Sequence, residues 1–119
     1  MFEIAVEDTF DAAHFLRGYQ GSCERLHGHT YKVQIVLRTE GVDATGISAD
    51  FREVKSALRD ALAELDHQCL NDLAPFTEVN PTAENLACYL FDSIKPALSA
   101  PLHRVTVWET PTSSATYFK

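Results

Sequence analysis

The sequence predicts an α+β domain, an antiparallel sheet carrying two helices on one face. Three observations predict it: apolar and polar residues alternate near both ends of the chain, helical spacing fills the middle, and turn-rich stretches at Gly41–Gly46 and Pro111–Ser113 separate the segments. A chain of 119 residues, 45% of them hydrophobic, supplies one core, so a single domain over residues 1–119 is expected.

Phe2, Ile4 and Val6 alternate with Glu3, Ala5 and Glu7, which reads as a half-buried strand. The even parity continues through Phe10, Ala12 and His14, unless a bulge near Glu7-Asp8-Thr9 resets it. Phe15 to Ser22 carries two glycines and little periodicity, hence a loop. In the second strand His27, His29, Tyr31, Val33, Ile35 and Leu37 share one face, opposite Thr30, Lys32, Gln34 and Arg38. Turn residues then end the strand, with Ile47–Ala49 as a short return. A helix is predicted from Asp50, with Glu53 completing a capping box and Phe51, Val54, Leu58, Ala61, Leu62 and Leu65 as its apolar stripe. A second starts at Asn80-Pro81, where proline suits the first helical position, buries Leu86, Leu90, Phe91 and Ile94, and closes at Lys95-Pro96. Val105–Thr110 and Ala115–Phe118 form a closing hairpin, giving the order ββααββ. So small a sheet exposes two edges, and pairing them with other subunits would make a closed oligomeric barrel.

The net charge of -7 argues against a nucleic-acid surface and against anionic membranes. A small anionic substrate is still compatible, with Arg17, Arg25, Lys32 and Arg38 near the histidines in sequence. The N-terminus does not read as a signal peptide and no apolar run reaches a membrane span, so a cytoplasmic protein is expected. Cys23, Cys69 and Cys88 are odd in number and widely spaced, which favours reduced thiols over a disulfide framework.

The chemistry concentrates in His14 and in Cys23-Glu24-Arg25-Leu26-His27-Gly28-His29. His-Gly-His within a strand directs both imidazoles to one side, because side chains two apart project alike. Three imidazoles with an open fourth position suit a catalytic metal, zinc in the first place, although iron and nickel accept the same ligands. Cys23 reads as a catalytic thiol, a fourth ligand or an inert residue; a nearby cation would favour its thiolate. Asp66-His67 reads either as a polar helix end or as an acid–base pair. Glu109 shares the buried phase of Val105 and Val107, so its carboxylate needs partners, which adjacent N–H donors of a ligand would supply. His103, Cys69 and Cys88 read as ordinary structural residues.

Together these motifs resemble the 6-pyruvoyl-tetrahydropterin synthase and 6-carboxy-tetrahydropterin synthase family. Phe10-Asp11-Ala12-Ala13-His14 and His27-Gly28-His29 are similar to its zinc-ligand motifs, and Leu65-Asp66-His67 with Leu70-Asn71-Asp72 to its catalytic segment. Asn80-Pro81-Thr82-Ala83-Glu84-Asn85 resembles the opening of its second helix, and Trp108-Glu109-Thr110 its pterin-anchoring strand end. The resemblance implies a tunnelling fold (T-fold), commonly hexameric, with sites shared between subunits. It implies zinc on His14, His27 and His29, Cys23 as base, Asp66-His67 as proton relay, Glu109 gripping a pterin, and Thr82 and Thr110 as secondary contacts.

The gap in C-x-x-x-H-G-H is similar to that of the 6-carboxy branch, which feeds queuosine and other deazapurine synthesis. The pyruvoyl branch typically has a longer gap, and a further branch has glutamate in place of the cysteine or just before His-Gly-His, where Leu26 stands here. The implied substrate is 7,8-dihydroneopterin triphosphate and the implied products are 6-carboxy-5,6,7,8-tetrahydropterin, acetaldehyde and triphosphate. Two alternatives are a pyruvoyl-forming enzyme on the same scaffold and a noncatalytic zinc-stabilised assembly module. The module would not need Cys23, Asp66-His67 and Glu109 together.

Overall fold

Two long strands organise the computed structural model, which describes residues 1–119. Strand β1 (Phe2–His14) and strand β2 (His27–Thr39) pair antiparallel without interruption from Phe2↔Thr39 to His14↔His27. The phase therefore never resets near Glu7–Thr9, and the alternation carries straight to His14. After β2 come helix α1 (Phe51–Ala63), strand β3 (Gln68–Cys69), helix α2 (Ala83–Ile94), strand β4 (Leu102–Thr110) and strand β5 (Ser113–Phe118). The sheet order is β3-β1-β2-β4-β5.

One face of the sheet forms the core. Val6, Phe10, Tyr31, Val33, Ile35, Leu37, Val105 and Val107 meet Val54, Leu58 and Leu62 of α1 and Leu86, Leu90 and Ile94 of α2 in a single cluster. Phe10 and Tyr31, cross-strand partners, stack at 4.8 Å between centroids. The other face is polar: Glu3 accepts from both Arg38 and Arg104, and Gln34 donates to Glu7. Neither helix is long and apolar enough to cross a membrane.

Five departures from the sequence reading have local causes. The sheet is mixed, because two-residue β3 adds parallel to β1; a strand so short shows no periodicity. Ile47–Ala49 form no strand, since Asp43 Oδ1 accepts from Thr45 N and Ile47 N and folds that segment into a loop. Asp50 caps α1 through Arg52 N as expected, but Glu53 makes no capping box. Its carboxylate accepts instead from Ser99 N and Oγ, and Phe51 is 55% exposed, outside the buried stripe. Helix α2 starts at Ala83 rather than Asn80-Pro81, because Thr82 is the N-cap: its Oγ1 accepts from Asn85 N at 3.1 Å.

Candidate metal and acid–base site

Register brings the histidines together. His14 and His27 are the last cross-strand pair of the β1–β2 hairpin, and His29 lies two residues farther along the same face. The fourth member is Glu109. The β4–β5 register shifts between Trp108 and Thr110, so Glu109 sits at a bulge, a device that re-aims side chains. One nitrogen from each imidazole and one Glu109 oxygen lie within 4.8 Å of one another.

In two of the three rings an outer partner fixes the tautomer. His14 Nδ1 donates to the Pro81 carbonyl at 2.8 Å and His27 Nδ1 to the Arg25 carbonyl at 2.6 Å. A carbonyl only accepts, so both Nδ1 atoms carry the proton and both Nε2 atoms keep lone pairs. Those two Nε2 atoms are 3.0 Å apart, lone pair facing lone pair. His29 Nε2 is buried, and the group nearest to it is the Glu109 carboxylate, whose Oε1 is 2.9 Å away. A cation between the rings would satisfy all three nitrogens and leave a position open, so the three imidazoles fit a divalent metal of the zinc type, with the Glu109 carboxylate beside it.

Electrostatics keeps the ligands ready. Burial pushes the pKa of His14 and of His29 below the ordinary imidazole value, against the opposing pull of Glu109, so both rings favour the neutral form that a metal requires. Tyr31, fully buried, stands 3.1 Å from His14 Nδ1, and burial holds its phenol neutral by raising its pKa.

Asp66-His67 forms a second cluster. His67 has φ 58 and its backbone N–H donates to the Asp11 carbonyl at 2.6 Å, while Asp66 Oδ1 accepts from Asp11 N at 2.9 Å. The strand β1 backbone thus holds the pair. His67 Nδ1 is 2.8 Å from Asp66 Oδ2, and that contact raises the imidazole pKa, while the Asp11 N–H foremost and then His67 lower that of Asp66. The His67 side chain is 77% exposed.

Two clefts open beside His29, and one of them reaches the second cluster. One, about 440 Å³, runs between His29 and His67; the other, about 530 Å³, opens beside His29, Glu109, Thr110, Lys32 and Trp108. Gly28 lines both. A Cβ there meets only Ala12 O, at an ordinary 3.6 Å, so glycine matters for the cleft space rather than for backbone strain.

The sequence-predicted residues fall unequally around this centre. His14, His27, His29 and Glu109 converge, Thr110 lines the second cleft, and His67 of the Asp66-His67 pair borders the first. Thr82 caps α2 instead of facing a cleft. Cys23 lies half-buried in a short 3-10 turn, Ser22–Glu24, outside the cluster of three histidines and Glu109. Among the cations, Lys32 lies 4.2 Å over the Trp108 ring within the second cleft, whereas Arg38 pairs with Glu3 at the far end of the hairpin. Sequence reasoning missed the carbonyls of Pro81 and Arg25 as orienting acceptors, since a backbone acceptor has no side-chain signature.

The 6-pyruvoyl tetrahydropterin synthase family model matches residues 3–119. The chain is 39% identical, over 99% of its length and 94% of the relative's, to a 6-carboxy-5,6,7,8-tetrahydropterin synthase of Synechocystis. Identity is 31% to a protein of the same name from Haemophilus influenzae, over 98% of this chain and 99% of that one. The solved 6-pyruvoyl tetrahydropterin synthase of Caenorhabditis elegans superposes with a TM-score of 0.90 at 33% identity, covering 99% of this chain and 95% of that one.

Proposed function

This chain belongs to the 6-pyruvoyl tetrahydropterin synthase family, whose T-fold it has, and from that premise we propose that it is a zinc-dependent 6-carboxy-tetrahydropterin synthase of the queuosine pathway. It is a carbon–carbon lyase that converts 7,8-dihydroneopterin triphosphate and water to 6-carboxy-5,6,7,8-tetrahydropterin, acetaldehyde and triphosphate. Oxidation of the side-chain carbon next to the ring and reduction of the ring occur within one substrate molecule, and water supplies the added oxygen. The observation that carries the reading is the convergence of two fixed imidazole lone pairs, the buried His29 Nε2 and Glu109 beside a cleft that leads to His67. The names of the relatives and the short C-x-x-x-H-G-H gap favour the carboxy product.

His14, His27 and His29 hold the zinc, which when bound acts as a Lewis acid toward the substrate's side-chain hydroxyls. Cys23, as thiolate, removes a side-chain proton. His67, whose pKa Asp66 raises above the ordinary imidazole value, returns a proton. Glu109, 29% exposed at the cleft wall, accepts from the pterin's amino and ring N–H groups and so fixes the side chain over the histidines. Thr110 lies beside it in the same cleft. Lys32 offers a cation to the triphosphate. The enzyme acts in the cytoplasm as a homohexamer with sites at subunit interfaces; the unpaired outer edge of β5 supports such an assembly.

Incubation of zinc-loaded protein with dihydroneopterin triphosphate, followed by product mass determination, tests the reading. Acetaldehyde with a carboxypterin is expected. A pyruvoyl product would replace the carboxy assignment with its sister reaction, and no turnover would leave a metal-stabilised module.

A further inference from the structure

The geometry points to Asn71 and Asn80 as positioning residues that fix the loop between His14 and His27, and with it the Cys23 thiol. This inference rests on the reading of Cys23 as the proton-abstracting group.

Each asparagine uses its carboxamide as a substitute peptide. Asn71 Oδ1 accepts from Phe15 N at 3.0 Å while its Nδ2 donates to Phe15 O at 2.9 Å. Asn80 does the same to Arg17, with both bonds at 2.9 Å. Phe15 and Arg17 flank Leu16, whose N–H donates to the Cys23 carbonyl at 2.8 Å. The thiol-bearing turn is then closed by Glu24 N to Gly21 O and Arg25 N to Ser22 O. Two clipped residues therefore aim the one N–H that tethers Cys23.

The clips are themselves anchored. Asn71 is buried in the turn that follows β3, which pairs with β1. The Asn80 carbonyl accepts from Thr82 N and Asn85 Nδ2 at the start of α2, and the next carbonyl, that of Pro81, takes the His14 proton. A few consecutive residues thus orient a metal ligand and hold the thiol loop. Replacing either asparagine with an aliphatic residue leaves an N–H and a C=O of the loop without partners. A carboxamide is required, because only it offers donor and acceptor side by side; Asp keeps the shape but loses the donor.

The test uses zinc-loaded, full-length Asn80→Ala and Asn80→Asp proteins, with Cys23→Ala as control. Steady-state kinetics per bound zinc is read beside the rate of Cys23 alkylation by iodoacetamide, located by peptide mass. Misplacement of the thiol should lower kcat by roughly 10–100-fold with KM within about threefold, and alter the alkylation rate several-fold, with zinc content retained. Wild-type kcat and alkylation rate in folded Asn80→Ala, or a lower melting temperature alone, would overturn the inference. Should Asn80→Ala not fold, isosteric Asn80→Asp gives the same two readouts with the same meaning. Cys23→Ala separates the two ideas: if it retains turnover, the role of the thiol fails, whereas the alkylation rate still decides whether Asn80 positions it.

Discussion

Stripping the cation from the histidine cluster should lower the melting temperature by about 16 °C. Without an ion the folded chain keeps two imidazole lone pairs opposed at 3.0 Å, so an ion held there would bind the folded state and not the unfolded one. Free metal at about a thousand times its Kd then adds about 4.1 kcal/mol to the stability. An unfolding entropy of about 2.1 cal/mol/K per residue gives about 0.25 kcal/mol/K for the 119 residues, and the ratio is the stated shift. Calorimetry of zinc-loaded and EDTA-treated protein at neutral pH reads it directly. His29→Ala, which removes one of the three nitrogens, should abolish most of the difference. Equal melting temperatures with and without chelator, or an undiminished difference in His29→Ala, would refute the assignment. The pH dependence has a definite sign: the folded pKa values of His14 and His29 lie below 6.5, so the unfolded chain takes up their protons first as pH falls. The metal-free protein therefore keeps this part of its stability above about pH 6.5 and loses it as pH falls through the folded values.

Asp66→Asn should move the NMR titration midpoint of His67 down towards the ordinary imidazole value, because the Asp66 carboxylate is the main cause of its elevation; an unmoved midpoint would dissolve the pair. As the His67 pKa is raised, any stability from the pair is complete below pH 6.5 and fades as pH rises through the folded value, a trend Asp66→Asn should erase. Thr82→Ala should cost about 1 kcal/mol in urea denaturation and Thr82→Asp should recover most of it, since either oxygen caps α2; a loss confined to substrate binding would instead favour a direct contact. Leu58→Ala should cost about 2–5 kcal/mol and Phe51→Ala no more than about 0.5, reversing the order expected from side-chain size, because Leu58 is buried and Phe51 is exposed.

What the sequence made legible, and what it left hidden, follows from the range of each signal. The strands β1 and β2 were readable because alternation over thirteen residues each is a long signal, and the same parity foretold that His14, His27 and His29 share a side. Capping at Asp50 was readable from residue type. The misplaced start of α2 had a physical cause. Pro81 suits a first helical position, but its carbonyl is taken by His14, and Thr82 supplies a better cap one residue on. Phe51 looked like core because helical spacing counts apolar residues without knowing where the sheet ends. The two-residue β3 exists only through its pairing with β1, and no local pattern encodes it.

At the site, residue identity was legible and mutual placement was not. His-Gly-His announces two parallel imidazoles from three letters, yet the approach of Glu109 depends on a bulge between β4 and β5, set by pairing across a hairpin. The same limit applies to Asn71 and Asn80. Their motifs stood out in the sequence beside the acid–base pair and before the second helix, and nothing local said that both side chains reach back more than fifty residues to the same short loop. That reach makes the site a property of the whole fold. β1 ends in a histidine of the candidate metal site, β3 sets the Asp66-His67 pair and Asn71 against β1, and the entry to α2 orients His14 through Pro81 while clipping Arg17 through Asn80. Loosening α2 at its N-terminus should therefore disturb His14 and the thiol loop together, although α2 itself contributes no side chain to the histidine cluster.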